Sequence, residues 1–169
     1  MTKRLKYTLR APLTDSGTIS TAGTVTTVSV NYAYVSFVVP GTPRPQGSMR
    51  AFRKRGKTIV TSDNRKLKPW RKQVAEYAMI AMHSHGKTCM QGPVDVLLKF
   101  YFARPKSVSV MKRPVMTVKP DIDKLIRSVC DSMTGVVYRD DAQVVKVTAL
   151  KQYTLDLECV EVWVQGALP

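Results

Sequence analysis

Stretches in which apolar and polar residues alternate, interrupted by two stretches of helical spacing, run along most of this chain. "YAYVSFVV" from Tyr32 to Val39 is aromatic and β-branched and predicts a strand ending at Pro40-Gly41. Trp70, Val74, Tyr77, Ala78 and Ala81 recur at i, i+4, i+7, i+8 and i+11, which predicts a helix from Pro69 to Ser84 stopped by Gly86. "VDVLLKFYFA" (Val94–Ala103) predicts a second strand, followed by a loop with Pro105, Pro114 and Pro120. A second helix is expected from about Pro120 to Ser132, with the proline in its first turn and Gly135 after its end. "VVKVTALK" and "LDLECVEVWV" predict two final strands, joined as a hairpin through Gln152-Tyr153. The expected fold is α+β: a single domain with a small mixed sheet and two main helices over residues 31–169. Residues 1–30, rich in Thr, Ser and Gly, form an extension of unknown role that makes an edge hairpin or stays mobile.

A chain of 169 residues can bury a core without staples. Its charge is unusual. Twenty-seven Lys and Arg against 12 Asp and Glu give +15, which fits a polyanionic partner, nucleic acid before an anionic membrane. The longest purely apolar run, Tyr77–Met82, is far too short to cross a bilayer, and no apolar segment follows the basic N-terminus. Cys89, Cys130 and Cys159 are odd in number and scattered, as in reduced cytoplasmic proteins. His83, His85 and Cys89 have metal-ligand types but no obvious fourth ligand, so a plain helix C-terminus is favoured over zinc.

The acids are unevenly placed. Asp121, Asp123, Asp131, Asp140 and Asp141 crowd a short segment, whereas residues 1–94 hold only Asp15, Asp63 and Glu76. Carboxylates beside a basic surface repel DNA unless a divalent cation lies between acid and phosphate. Phosphodiester hydrolysis uses such cations to stabilise the attacked phosphorus and the leaving oxygen, and Mg²⁺ or Mn²⁺ prefers carboxylate oxygen. The bland alternatives are acids drawn to a helix's positive end and Asp-Asp as turn composition. Asp131 has a simpler expected role, pairing with Arg127 one turn away.

"KPDIDKLIRSVCDSMTGVVYRDDAQVV" (Lys119–Val145) resembles the signature of the RusA family of Holliday-junction resolvases, and "VPGTPRPQGSMRAF" (Val39–Phe52) resembles that family's first strand and Pro-rich basic loop. The resemblance spans about Val35 to Val164 and leaves residues 1–30 outside. It implies a RusA-like fold and a homodimeric, Mg²⁺-dependent endonuclease that cuts paired strands of a four-way junction, active in the cytoplasm at the nucleoid, with a phage or prophage origin left open. By motif position Asp121, Asp123 and Asp141 are the implied catalytic and metal-binding aspartates, with Asp140 an adjacent candidate ligand. Where the family has a functional lysine this chain has Arg127, which keeps the charge but cannot readily give up a proton. Where it often has Asn this chain has Lys124, so which of the two cations meets the scissile phosphate stays open.

Between Gly41 and Gln73 there are eleven Lys and Arg and one acid. Arg44, Arg50, Arg53, Lys54, Arg55 and Lys57 are the densest group and read as a basic hairpin or loop that neutralises phosphates, against the alternative of a solvated loop. Arg104, Lys106, Lys112 and Arg113 form a second basic loop for another DNA arm. Phe52 and Trp70 are expected in the core rather than against bases. Two other readings compete with a resolvase: a non-catalytic nucleic-acid-binding protein, and a flap or branched-DNA nuclease on the same fold.

Overall fold

The computed structural model describes residues 18–21, 24–27, 34–47, 49–54, 56–62 and 64–167, and between 49 and 62 the side chains of Arg53 and Lys57 alone. The chain divides into two units, residues 1–32 and 33–169. The first contains an antiparallel hairpin of β1 (Thr18–Thr21) and β2 (Thr24–Thr27), which is a two-stranded sheet of its own and not the edge of another.

The second unit is α+β, built on a four-stranded mixed sheet. Its strands are β3 (Tyr34–Pro40), β6 (Val94–Ala103), β7 (Val144–Thr154) and β8 (Cys159–Gly166), in the order β3-β8-β6-β7. A separate hairpin of β4 (Met49–Lys54) and β5 (Lys57–Ser62) carries the basic turn, with Lys54 paired to Lys57 across its tip. Along β6, Val94, Val96, Leu98, Phe100 and Phe102 are buried and the intervening residues less so, as period-two patterning requires. Helix α1 (Leu67–Ser84) and helix α2 (Ile122–Met133) contribute Trp70, Val74, Ala78, Leu125, Val129 and Met133 to the same core.

The expected terminal hairpin does not form. β7 continues through Gln152 and Tyr153, pairs in parallel with β6, and is separated from β8 by β6. Burial explains the order. β8 carries a dense apolar run in which Val160, Val162, Trp163 and Val164 are all buried, so it needs a neighbour on each side. β7 exposes Val145, Lys146, Val147 and Thr148 and tolerates the sheet's edge.

Both helix stops hold. Gly86 and Gly135 have φ of 59° and 76°, a left-handed conformation that glycine adopts without penalty. The start of α2 differs from expectation: Asp121, in extended conformation, is its N-cap, and Pro120 precedes the helix. The three thiols are free, and burial pushes those of Cys130 and Cys159 up to about 11, so both are neutral and inert at physiological pH. His83, His85 and Cys89 make no metal cluster, and among the described residues no helix is long and apolar enough to cross a membrane.

Leu125 is fully buried where α2 meets the sheet. Leu125→Ala should cost about 2–5 kcal/mol in chemical denaturation, because the lost burial and the cavity add.

Candidate active site

The segment leading into α2 has no ladder of its own to satisfy its backbone. Lys151 of β7 meets this need: its ammonium donates to the carbonyls of Val118 (2.6 Å) and Pro120 (2.8 Å). From the other side the Gln46 N–H donates to the Lys124 carbonyl at 2.9 Å, fastening the proline-rich segment 42–47 to the first turn of α2. Arg71 of α1 bonds both the Gln46 amide oxygen and Asp131 of α2. The expected Asp131–Arg127 pair is therefore replaced by Asp131–Arg71, because Asp131 lies on the flank of α2 that packs against α1. Arg127 is exposed and forms no ion pair among the described residues.

The Asp121 carboxylate makes no cap bond. It accepts from the Lys124 ammonium at 2.9 Å. That bond and the Lys124 charge hold its carboxyl below the usual carboxylate range, with smaller help from Lys119 and Lys151. Lys124 is reciprocally raised, first by its bond to Asp121 and last by the field of Asp123. Asp123, in the first turn, is exposed.

Asp140 and Asp141 are held differently. Asp140 caps the short 3₁₀ turn Asp141–Gln143: its carboxylate accepts from the Ala142 N–H at 2.8 Å, and the Gln143 side chain accepts from the Asp140 N–H at 3.0 Å. Gln143 also donates to the Gly92 carbonyl at 2.7 Å, tying this turn to the approach of β6. Asp141 is exposed just before β7, and its charge is felt by Cys130 and Tyr138, toward the far end of α2 from Asp121.

Among the described residues no three His, Cys, Asp or Glu side chains converge on one point. Asp121 and Asp123 share the start of α2, and with Asp141 they form no three-carboxylate cluster in the single chain. The pair fits a cation by its own evidence, since an ammonium is already bound at Asp121 within the field of Asp123. Its oxygen donors suit a hard divalent ion.

Beside Asp121 lies a cleft of about 590 Å³ whose walls include Arg44, Lys119 and Lys124. Of the other predicted basic residues, Arg53 and Lys57 are exposed near the β4–β5 turn, Arg50 and Lys54 lie on β4, and Arg55 falls outside the described residues. Lys106 and Lys112 are exposed and Arg113 half-buried. Arg104 braces its own loop, donating to the Arg113 carbonyl at 2.6 Å and stacking on the Tyr153 ring at 4.1 Å. The expectation for Phe52 lies outside the described side chains; Trp70 is buried in the core as expected. Lys151, Gln46, Arg71 and Lys119 were not foreseen. A lysine in an alternating strand looks solvated, and nothing local signals its distant carbonyl partners.

An acidic helix start set into a basic, cleft-bearing α+β domain defines a protein equipped to meet phosphodiesters. The family model described as "Endodeoxyribonuclease RusA" matches residues 40–165, and the chain belongs to that family, as its central motif implied. It is also similar to "Uncharacterized protein YqaN" of Bacillus subtilis (strain 168), 34% identical over 131 residues that cover 71% of this chain and 88% of the relative. Family membership makes the protein an endodeoxyribonuclease, of a kind that generally depends on a divalent metal.

Asp121's depressed titration gives a pH test. The folded value lies below the unfolded one, so the pair with Lys124 favours the fold above the unfolded pKa, and that contribution is lost as pH falls through the folded value. In an NMR titration, Lys124→Ala should move the Asp121 midpoint upward. Lys151→Met strands two carbonyls and should cost about 1–3 kcal/mol in urea unfolding.

Proposed function

We propose that this chain resolves four-way DNA junctions by Mg²⁺-dependent phosphodiester hydrolysis, acting as a homodimer, with Asp121, Asp123 and Asp141 as its working carboxylates. The observation that carries the reading is the cation-holding pair at the start of α2, inside the span that matches the nuclease family. Asp121 and Asp123 would hold the metal, with Mn²⁺ an alternative to Mg²⁺. Such an ion, when bound, supplies Lewis-acid charge to the scissile phosphate. Asp141 is the third carboxylate of the motif, and Asp140 serves it by fixing the turn on which it stands.

The two candidate cations have different jobs. The Lys124 ammonium is committed to Asp121, whereas Arg127, four residues beyond Asp123 and so on the same helix face, is exposed and unpaired. Arg127 therefore meets the phosphate and stabilises charge in the transition state. It does not move a proton, because a guanidinium stays protonated. The β4–β5 hairpin with Arg50, Arg53, Lys54, Arg55 and Lys57, and the loop with Lys106, Lys112 and Arg113, hold the DNA arms through phosphates. Two symmetric cuts need two sites related by a two-fold axis, which a dimer supplies and sedimentation of the free protein checks.

Asp123→Asn should abolish cleavage of a mobile four-way junction in Mg²⁺ while binding persists or tightens, since a negative charge facing phosphate is removed. Undiminished cleavage would sink the assigned site. Flap and duplex substrates run beside the junction separate resolution from general branched-DNA cleavage.

A further inference from the structure

The cleft beside Asp121 is larger and more apolar than phosphate contact requires. At about 590 Å³ it lies within the range of small-molecule sites. Pro43, Pro45, Met116, Val118 and Tyr153 give it flat or apolar walls. Its charges do not cancel. Glu158 is engaged, accepting from the Thr42 hydroxyl and, at 3.0 Å, from the Ala103 N–H. Asp121 is engaged by Lys124. Arg44, Lys119 and Lys124 outnumber Asp121 and Glu158 on the cleft wall, leaving one net positive charge, and neither Arg44 nor Lys119 is held by a carboxylate there.

The two segments that supply the cleft's outer walls carry exposed apolar side chains. Between Pro105 and Met116, Met111 is 92% exposed, and Val110 and Val115 are also exposed. Between Tyr153 and Glu158, Leu155 is 96% exposed. Lys106 and Lys112 are interleaved with the first group. Apolar side chains set among cations are the composition with which proteins unstack bases while holding the backbone.

We propose that this cleft receives one unstacked nucleotide from the branch point of the DNA, its base against the proline walls and its phosphates at Arg44 and Lys119. The proposal rests on the DNA reading of the site and adds how a branch is told from a duplex. A base pair in continuous duplex must be unpaired and unstacked before a base can enter, whereas a base at a branch has already lost part of its stacking, so entry costs least there. Asp121, on the cleft wall, then lies beside the backbone of the captured nucleotide.

The test places 2-aminopurine at each branch-point position of a four-way junction, with Ca²⁺ replacing Mg²⁺ and the full chain added. Base fluorescence and, separately, anisotropy of an end-labelled arm are followed. At one branch position fluorescence should rise about two-fold or more on binding, and in continuous duplex it should not. Ala103→Trp and Val118→Trp, which fill the cleft from two walls and are checked for folding by circular dichroism, should abolish the rise while anisotropy still reports arm binding. Junction binding with no rise at any position overturns the cleft proposal and leaves the DNA reading intact. A rise that survives both filled variants, or that appears equally in duplex, also overturns it. Absence of junction binding overturns the DNA reading itself, and the cleft proposal with it.

Discussion

Parallel pairing of β6 with β7 is the constraint on which the site depends. Two antiparallel strands can be joined by a tight turn, but parallel ones require a long crossover. Here that crossover is residues 104–143, and it holds the second basic loop, α2 and the capped turn before β7. Every aspartate of the central motif lies on this one excursion. Its two ends are fixed by the sheet and its middle by Leu125, Val129 and Met133 in the core. The acidic start of α2 is thus placed by the sheet rather than by local preference, and Lys151, reaching from β7 back to the carbonyls of Val118 and Pro120, closes the excursion on itself.

How much of this was legible follows from the range of each interaction. Periodicity reports which face of an element is buried, so β6, α1 and α2 could be read within a residue or two. It does not report which element lies alongside, so β7 and β8, adjacent in sequence, suggested a hairpin that the sheet does not contain. The clue was present in composition: "CVEVWV" is too apolar for an edge and "VVKVTALK" is not. Asp131 was misassigned for the same reason. Its partner Arg71 is 60 residues away, and a rule that looks four residues along a helix finds Arg127 instead. Asp140 was readable and missed, because Asp-x-x-Gln at a helical start is a capping box, and that pattern separates it from Asp141.

The family motif marked the aspartates as a set, and the structure sorts them by what already neutralises each. Asp121 has the Lys124 ammonium, Asp131 has Arg71, and Asp140 has backbone N–H groups of its own turn. Asp123 and Asp141 have no ion-pair or hydrogen-bond partner for their carboxylates among the described residues, and both are exposed. In a chain of charge +15 an acid finds a cation easily, so two motif carboxylates left without one are unusual sites.

Lys124 lies beside the two carboxylates proposed to hold the metal. An exposed ion pair contributes little to stability, so holding the fold together is a poor reason for it. The effect of the ammonium is on the carboxylate it meets. It orients the Asp121 carboxylate and holds its titration below the usual carboxylate range. The same pairing engages Lys124 and leaves Arg127 exposed, and the proposed phosphate contact suits Arg127, whose planar fork matches phosphate oxygens and whose charge does not depend on pH. The two departures from the family pattern are thus compatible with the proposed mechanism: one cation is paired with the carboxylate and the other is left exposed.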